Sequence, residues 1–182
     1  MRVESLKGHL LVAGPQLVDP NFRRTVVLVG EHTEDGALGV VLNRVSDTTV
    51  AEAVPELAAV VDEESVLHVG GPVQRSAIVV VADFEEPERA AMLVVGSVGF
   101  LPAEVDPDEL GELRRARVFA GYSGWGSGQL EAELAEGSWI VEPALPDDVF
   151  TPSPETLWSE VLRRKGGPYA VLAAMPPDPS LN

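Results

Sequence analysis

The sequence contains no cysteine. A disulfide framework, a thiol nucleophile and thiolate-held zinc or iron–sulfur centres are therefore excluded. Histidine is scarce as well. His9, His32 and His68 are the only three, and none is spaced as His-x-x-x-His, so no metal and no cofactor is expected. Bases are few: 13 Lys and Arg stand against 29 Asp and Glu, a formal charge of −16. A nucleic-acid binder gains affinity by neutralising phosphates and releasing counterions, and an acidic field repels such a polyanion. No direct nucleic-acid contact is expected, and an anionic membrane surface is disfavoured on the same ground. Continuous apolar runs stop at seven residues, Tyr169 to Met175, against roughly 20 for a membrane-spanning helix. The opening Met1-Arg2-Val3-Glu4 and the run behind it are too polar for a signal-peptide core. These features predict a cytoplasmic protein with no membrane association.

What is present is the composition of a folded domain. Of 182 residues 45% are apolar and 23% charged, which excludes wholesale disorder and coiled coil. A chain of this length buries roughly 70% of its unfolded surface and needs no covalent staple. No period of 20 to 50 residues repeats, so a solenoid or propeller is excluded. The strands stand out first. His9 to Ala13 is an apolar run ended by Gly14-Pro15, and Arg24 to Val29 is rich in β-branched residues. Leu38 to Leu42 follows across Thr33-Glu34-Asp35-Gly36, a connection of hairpin length with an Asp-Gly turn signal. These runs are continuous, which predicts cover on both faces of the sheet. Further strands are predicted at Ser65–Val69, Ala77–Ala82, Ala91–Val95, Arg117–Ala120, Ser138–Glu142 and Tyr169–Ala173.

Helices are marked by their ends. Asp106-Pro107-Asp108-Glu109 and Ser153-Pro154-Glu155 each put a capping residue before a proline and an acid. The second is followed by the apolar stripe Leu157, Trp158, Val161, Leu162 and closed by Arg163-Arg164-Lys165-Gly166, cations and a glycine at the negative end. Thr49-Val50-Ala51-Glu52 starts another helix that Pro55 must end, and Gln129–Glu136 is a fourth. Strands outnumber helices and at least one hairpin is expected, so the reading is α+β: a mixed, mainly antiparallel sheet with helices packed outside. One domain over residues 1–175 is expected, with a Pro-rich tail frayed from 176 to 182.

Several blocks coincide with one family. They are Gly8-His9-Leu10-Leu11-Val12-Ala13-Gly14-Pro15, then Asp19-Pro20-Asn21-Phe22-Arg23-Arg24-Thr25-Val26, Glu31-His32, Gly36-Ala37-Leu38-Gly39, Asn43-Arg44 and Gly70-Gly71-Pro72-Val73. The most specific is Gly121-Tyr122-Ser123-Gly124-Trp125-Gly126-Ser127-Gly128-Gln129-Leu130-Glu131-Ala132-Glu133, closed by Ser138-Trp139. In their order and spacing these resemble the AlgH/YqgE family of small bacterial proteins, from about Gly8 to Gly166. The resemblance implies an α+β fold whose bifurcated, mostly antiparallel sheet curls into a pseudo-barrel. It implies no established activity, and it brings a transcriptional-regulator label that the acidity of the chain does not support. Two departures stand out: Val45 where relatives usually place a proline after Asn43-Arg44, and Ile78-Val79-Val80-Val81 where many carry a Leu-His pair.

Among candidate sites the glycine-rich segment comes first. Read as a loop running into a helix, Gly121, Tyr122, Gly124, Trp125, Gly126, Gly128 and Gln129 offer backbone N–H groups to an anion and Trp125 to a flat ligand. It matches neither the phosphate loop nor the dinucleotide spacing, and Glu131 would repel a phosphate. The structural alternative is a tight turn with Trp125 as a lid on the core. Ser123, Ser127 and Ser97 all fail the Gly-x-Ser-x-Gly elbow. His32 reads either as a weak metal contact or as a hydrogen-bonded residue at a strand end. Arg44 reads either as a bidentate anion ligand or as the partner of an acid, with Asn43 beside it. Asp19, Asn21 and Phe22 read as turn residues and an anchor. Bases bunch at Arg23-Arg24, Arg114-Arg115-Arg117 and Arg163-Arg164-Lys165. The favoured function is a non-catalytic binding or regulatory module for a protein or small-molecule ligand, using the glycine-rich and Asp19–Arg24 segments. The rivals are an enzyme acting on a small anionic substrate and a transcriptional regulator working through protein partners.

Overall fold

Continuous apolar runs become strands covered on both faces. The structure, a computed structural model, describes residues 4–102, 106–109 and 111–176. In β1 (His9–Ala13) and β2 (Val26–Thr33) successive residues go to opposite cores. Leu10, Val12, Val26 and Leu28 join one cluster, while Leu11, Ala13, Val27 and Val29 join the other. The two-residue side-chain period sorts an unbroken apolar run into two faces. On the first face lies α4 (Pro154–Lys165), whose Leu157, Trp158, Val161 and Leu162 are the buried stripe that the spacing predicts. On the second lies α2 (Gln129–Ala135), seated through Leu130 and Leu134.

The remaining strands are β3 (Gly36–Val41), β4 (Val45–Thr49), β5 (Val66–Val69), β6 (Val73–Phe84), β7 (Met92–Val95), β8 (Val98–Phe100), β9 (Leu113–Gly126) and β10 (Trp139–Pro143). Among the described residues they form one ten-stranded sheet in the order β10-β1-β2-β3-β9-β6-β8-β7, with β5 on β9 and β4 on β5. The predicted hairpin is β2–β3. Pairings are antiparallel except β5 with β9, so the sheet is mixed and mainly antiparallel. The hydrogen-bonded order has two ends, β10 and β7, and does not close into a barrel.

The sheet branches at β9. One edge carries β6, with Val79 opposite Phe119 and Ile78 opposite Ala120. The other edge is divided: His68 and Val69 of β5 face Phe119 and Ala120, while residues 36–39 of β3 face Ser123 to Gly126. The division falls at Gly121. Its φ is +76°, and a Cβ there would lie 2.5 Å from the Gly71 carbonyl oxygen. No other residue fits a left-handed backbone that close to a neighbouring chain.

Several elements differ from the sequence reading. Tyr169–Ala173, expected as a strand, lies mostly in α5 (Pro168–Leu172). Gly166 and Gly167, at φ +81° and +58°, turn the chain off α4, and Pro168 takes the first helical position. Tyr169, Leu172 and Ala173 then face the core at helical spacing while Val171 is 73% exposed. The helix expected from Asp106-Pro107 is only a 3-10 turn, Pro107–Glu109, before β9 begins at Leu113. The capping bond is present, with Asp108 N–H donating to Asp106 Oδ1 at 3.0 Å, but no apolar stripe follows to sustain a helix. Strand β4 is polar and edge-lying, β8 is three residues long, and α1 (Val50–Ala53) and α3 (Pro146–Val149) are single turns, so none carries a periodic signal. The tail expected to fray lies outside the described residues from 177 onward. Gly121→Ala tests the branch point: it is expected to lower stability by about 2–4 kcal/mol in urea unfolding, with no such loss at exposed Gly126.

Candidate functional site

The glycine-rich segment is strand rather than loop. Gly121, Tyr122, Gly124, Trp125 and Gly126 all belong to β9, and only Ser127 and Gly128 turn before α2. Gly128, at φ +75°, is the N-cap of that helix. Within this segment close backbone approach requires glycine only at Gly121; Gly124 and Gly126 meet only side chains, and Gly128 is favoured by its left-handed φ. Trp125 is 6% exposed and closes the second core as a lid, with Phe22 and Trp139 against it at ring-centroid separations of 6.3 and 6.0 Å. Phe22 thereby brings the 19–24 segment beside the glycine-rich strand.

Glu133 ties this cluster together. Its Oε1 accepts from the indole N–H groups of Trp125 (3.1 Å) and Trp139 (2.9 Å), and its Oε2 accepts from Gln129 Nε2 at 2.9 Å. Gln129 Oε1 in turn accepts from the Gly126 N–H at 3.0 Å. One turn away, His32 Nδ1 accepts from the Leu6 N–H at 3.0 Å. The ring proton therefore sits on Nε2, which donates to Glu131 Oε1 at 2.6 Å. That hydrogen bond, foremost, holds the Glu131 carboxyl below its usual pKa. His32 is thus the hydrogen-bonded residue near a strand end, and Glu131 is its partner.

Asn43 and Arg44 brace the 19–25 segment. Asn43 accepts from Val26 N–H (2.9 Å) and donates to the Arg24 carbonyl (2.8 Å). Arg44 donates to the carbonyls of Asn21 (2.7 Å) and Arg23 (3.0 Å), so its partners are carbonyls rather than the expected acid. Burial lowers the Arg44 pKa, with the charge of Asp19 opposing. Asp19 makes the predicted turn, accepting from the Asn21 N–H at 2.8 Å. The three serines donate elsewhere: Ser123 to the Gly70 carbonyl, Ser127 to the Glu34 carbonyl and Ser97 to Asp83. Among the described residues no group of three His, Asp or Glu side chains gathers as a metal requires.

A sizeable cleft lies elsewhere. About 460 Å³ opens between residues 60–66 and the first half of β9, lined by His68, Arg114, Arg115 and Arg117 on the basic side and Asp62 and Glu64 on the acidic side. A second cleft of about 240 Å³, bordered by Tyr122, Phe100 and Met92, is apolar. None of the other sequence-predicted site residues lines the larger one. Its cations, Arg114, Arg115 and Arg117, all come from the first half of β9, and only the base cluster in the sequence pointed to them.

The three arginines differ in how far they are satisfied. Arg114 and Arg115 both reach Asp83, at 3.2 and 3.3 Å, and Arg115 also reaches Asp147 at 2.8 Å. Burial works against ionisation of Asp83, but hydrogen bonds from Ser97, Arg115 and Arg114 prevail and hold its carboxyl below the usual range. Arg117 is half-buried and donates through Nη1 to the carbonyls of Val149 (3.1 Å) and Thr151 (2.8 Å). Among the described residues no carboxylate pairs with it, and its Nε and Nη2 make no hydrogen bond. His68 beside it is 2% exposed; its Nδ1 lies 3.2 Å from the Val66 carbonyl and its Nε2 has no partner. Burial first, then the charge of Arg117, pushes the imidazole down to about 4, with the Val66 carbonyl opposing.

Comparison with known proteins agrees with the fold and the signature. The model of the AlgH-like family matches residues 10–170. A UPF0301 protein of Streptomyces coelicolor is 47% identical over 187 aligned positions, covering 99% of this chain and 97% of the relative. One from Thermobifida fusca is 45% identical, covering 98% and 96%. The crystal structure of a Corynebacterium diphtheriae protein superposes with a TM-score of 0.86 at 31% identity, over 96% of this chain and 95% of that one. The solution structure of AlgH from Pseudomonas aeruginosa gives a TM-score of 0.72, also at 31% identity, over 97% and 98%. The chain belongs to the AlgH-like family.

Two outcomes test this geometry. Glu133→Ala leaves two buried indole donors unpaired and is expected to cost about 2–4 kcal/mol in urea unfolding, with a shift in tryptophan emission that Glu133→Gln partly restores. For His68, the unfolded chain takes up a proton near pH 6.5 and the folded chain only near 4. The ring's stabilising contribution is therefore full above 6.5 and lost progressively as the pH falls towards 4, on the order of 3 kcal/mol in all. Wild type is expected to lose stability relative to His68→Phe across that window, read from urea midpoints at pH 4, 5, 6 and 7.

Proposed function

We propose that this AlgH-like protein is a non-catalytic, cytoplasmic binding module of a regulatory kind, and that its ligand is a small anion held in the cleft beside Arg117. The observation that carries the reading is the half-buried Arg117 guanidinium, anchored by two carbonyls and holding its remaining N–H groups uncommitted. A planar cation fixed on one edge presents the other as a preorganised fork for a carboxylate or phosphate. Arg114 and Arg115 at the rim are already paired with Asp83, Glu85 and Asp147, so Arg117 is the cation of the cleft that no carboxylate pairs among the described residues. The cleft volume, about 460 Å³, suits a ligand of metabolite size.

The overall charge of −16 bears on ligand size rather than against an anion. A polyanion meets the whole acidic surface, whereas a small anion inside the cleft feels mainly the nearest groups, because exposed charges beyond about 8 Å are screened. A binding role is favoured over an enzyme acting on such an anion by the state of His68. An imidazole pushed down to about 4 is a weak general base at neutral pH, which favours its use as a hydrogen-bond acceptor. The surface around Trp125 is the weaker host for a ligand or partner, since the indole and its neighbours are spent on the core and on Glu133.

A thermal-shift series with inorganic phosphate, sulfate and citrate tests the reading. Stabilisation that rises with concentration and falls at high salt is expected, and Arg117→Met should abolish it, each protein being read against its own melting temperature without anion. Equal stabilisation of wild type and variant would place the anion elsewhere and end the reading.

A further inference from the structure

Resting on that anion-binding reading, we infer that the ligand also carries a hydroxyl group, and that this hydroxyl donates a hydrogen bond to Nε2 of His68. The ligand class is a small hydroxylated anion, a hydroxy acid or the phosphate ester of a polyol.

Nδ1 of His68 lies 3.2 Å from the Val66 carbonyl, an acceptor only, so the imidazole proton sits on Nδ1. Nε2 is then a bare lone pair. It is fully buried and has no partner, in a residue 2% exposed. Buried polar atoms in folded proteins are nearly always paired, and an orphan at the margin of a cleft marks a place where a donor belongs. A second proton is not the answer, because burial and Arg117 hold the ring neutral over the physiological range. The missing partner therefore has to bring its own hydrogen.

The cleft does not supply one. The groups facing it are Arg114, Arg115 and Arg117 from β9, Asp62, Glu64 and Ser65 ahead of β5, and the Phe150 ring. None of them bonds to Nε2. Arg117 is close enough to act on His68 by its charge, and β5 and β9 pair in parallel with His68 opposite Phe119. Arg117, two residues before Phe119, therefore shares the face of the sheet on which His68 stands. One cationic fork and one neutral acceptor on the same face and lining the same cleft match an anionic group and a hydroxyl a few bonds apart in one molecule. A ligand with the charge but no hydroxyl would leave Nε2 buried and unpaired, and sites built around a hydroxyl discriminate against such analogues strongly.

Calorimetric titration with matched pairs tests this: glycerol 3-phosphate against n-propyl phosphate, and glycerate against propionate. Wild type is expected to bind the hydroxylated member of at least one pair about tenfold or more tightly. His68→Phe should lose that preference while keeping its affinity for the unhydroxylated member, and Arg117→Met should lose both. Because a buried substitution can impair folding, the ring is also read in the wild-type protein: the Nε2 nitrogen resonance of His68 should move on addition of the hydroxylated member and stay in place with its analogue. Binding of both members with equal affinity and an unmoved Nε2 would overturn the hydroxyl assignment and leave the anion reading standing. Binding of neither member in either pair would overturn both.

Discussion

Strand β9 holds three neighbours on two edges, and its backbone can do so only where Gly121 bends it left-handed against Gly71. On one edge the residues before the bend pair with β5 and those after it with β3, while β6 runs along the other edge as far as Val73 opposite Tyr122. The two parts of the sheet, the hydrophobic clusters behind them and the cleft on the β5 side all take their positions from that division. Of the glycines in the 121–128 signature segment, Gly121 is the one pressed against a neighbouring backbone; Gly124 and Gly126 meet only side chains, and Gly128 takes a left-handed φ at the start of α2.

The polar residues of the signature do comparable structural service. Glu133 collects two indole donors and one amide on a single carboxylate, fixing α2 to the sheet beneath it. His32 and Glu131 tie the N-terminal segment to the same helix. Asn43 and Arg44 replace the missing secondary structure of residues 19–25 with side-chain bonds to its backbone. A motif dense in chemistry-bearing residues is here largely consumed in holding the fold, with Trp125, Gln129, His32, Asn43 and Arg44 all donating to acceptors within the chain. The uncommitted groups, Arg117 and His68, lie outside it.

The cleft shows how a chain of net charge −16 can still offer a local positive site. Alternation along β9 puts Arg115 and Arg117 on one face, and backbone carbonyls rather than carboxylates hold Arg117 in place. Carbonyl anchoring fixes the guanidinium without cancelling its charge, so the field inside the cleft is set by the nearest groups and not by the total.

Much of the architecture was legible in local pattern. Unbroken runs such as Val26–Val29 require two covered faces, and the Ser153-Pro154 start with Gly166 beyond Lys165 marks a helix by its own chemistry. Even α5 was legible in principle, since Tyr169, Leu172 and Ala173 are spaced for a helix. These features depend on neighbours a few residues away, and sequence order carries them directly. The site was not legible, because it depends on pairing across the chain. That Glu133 belongs to Trp125 and Trp139, that Gly121 is a branch in a sheet and not a loop, and that Arg117 stands near an unpartnered His68 follow from which strands lie side by side. Register is decided by the collective burial of two cores, and no short segment contains it.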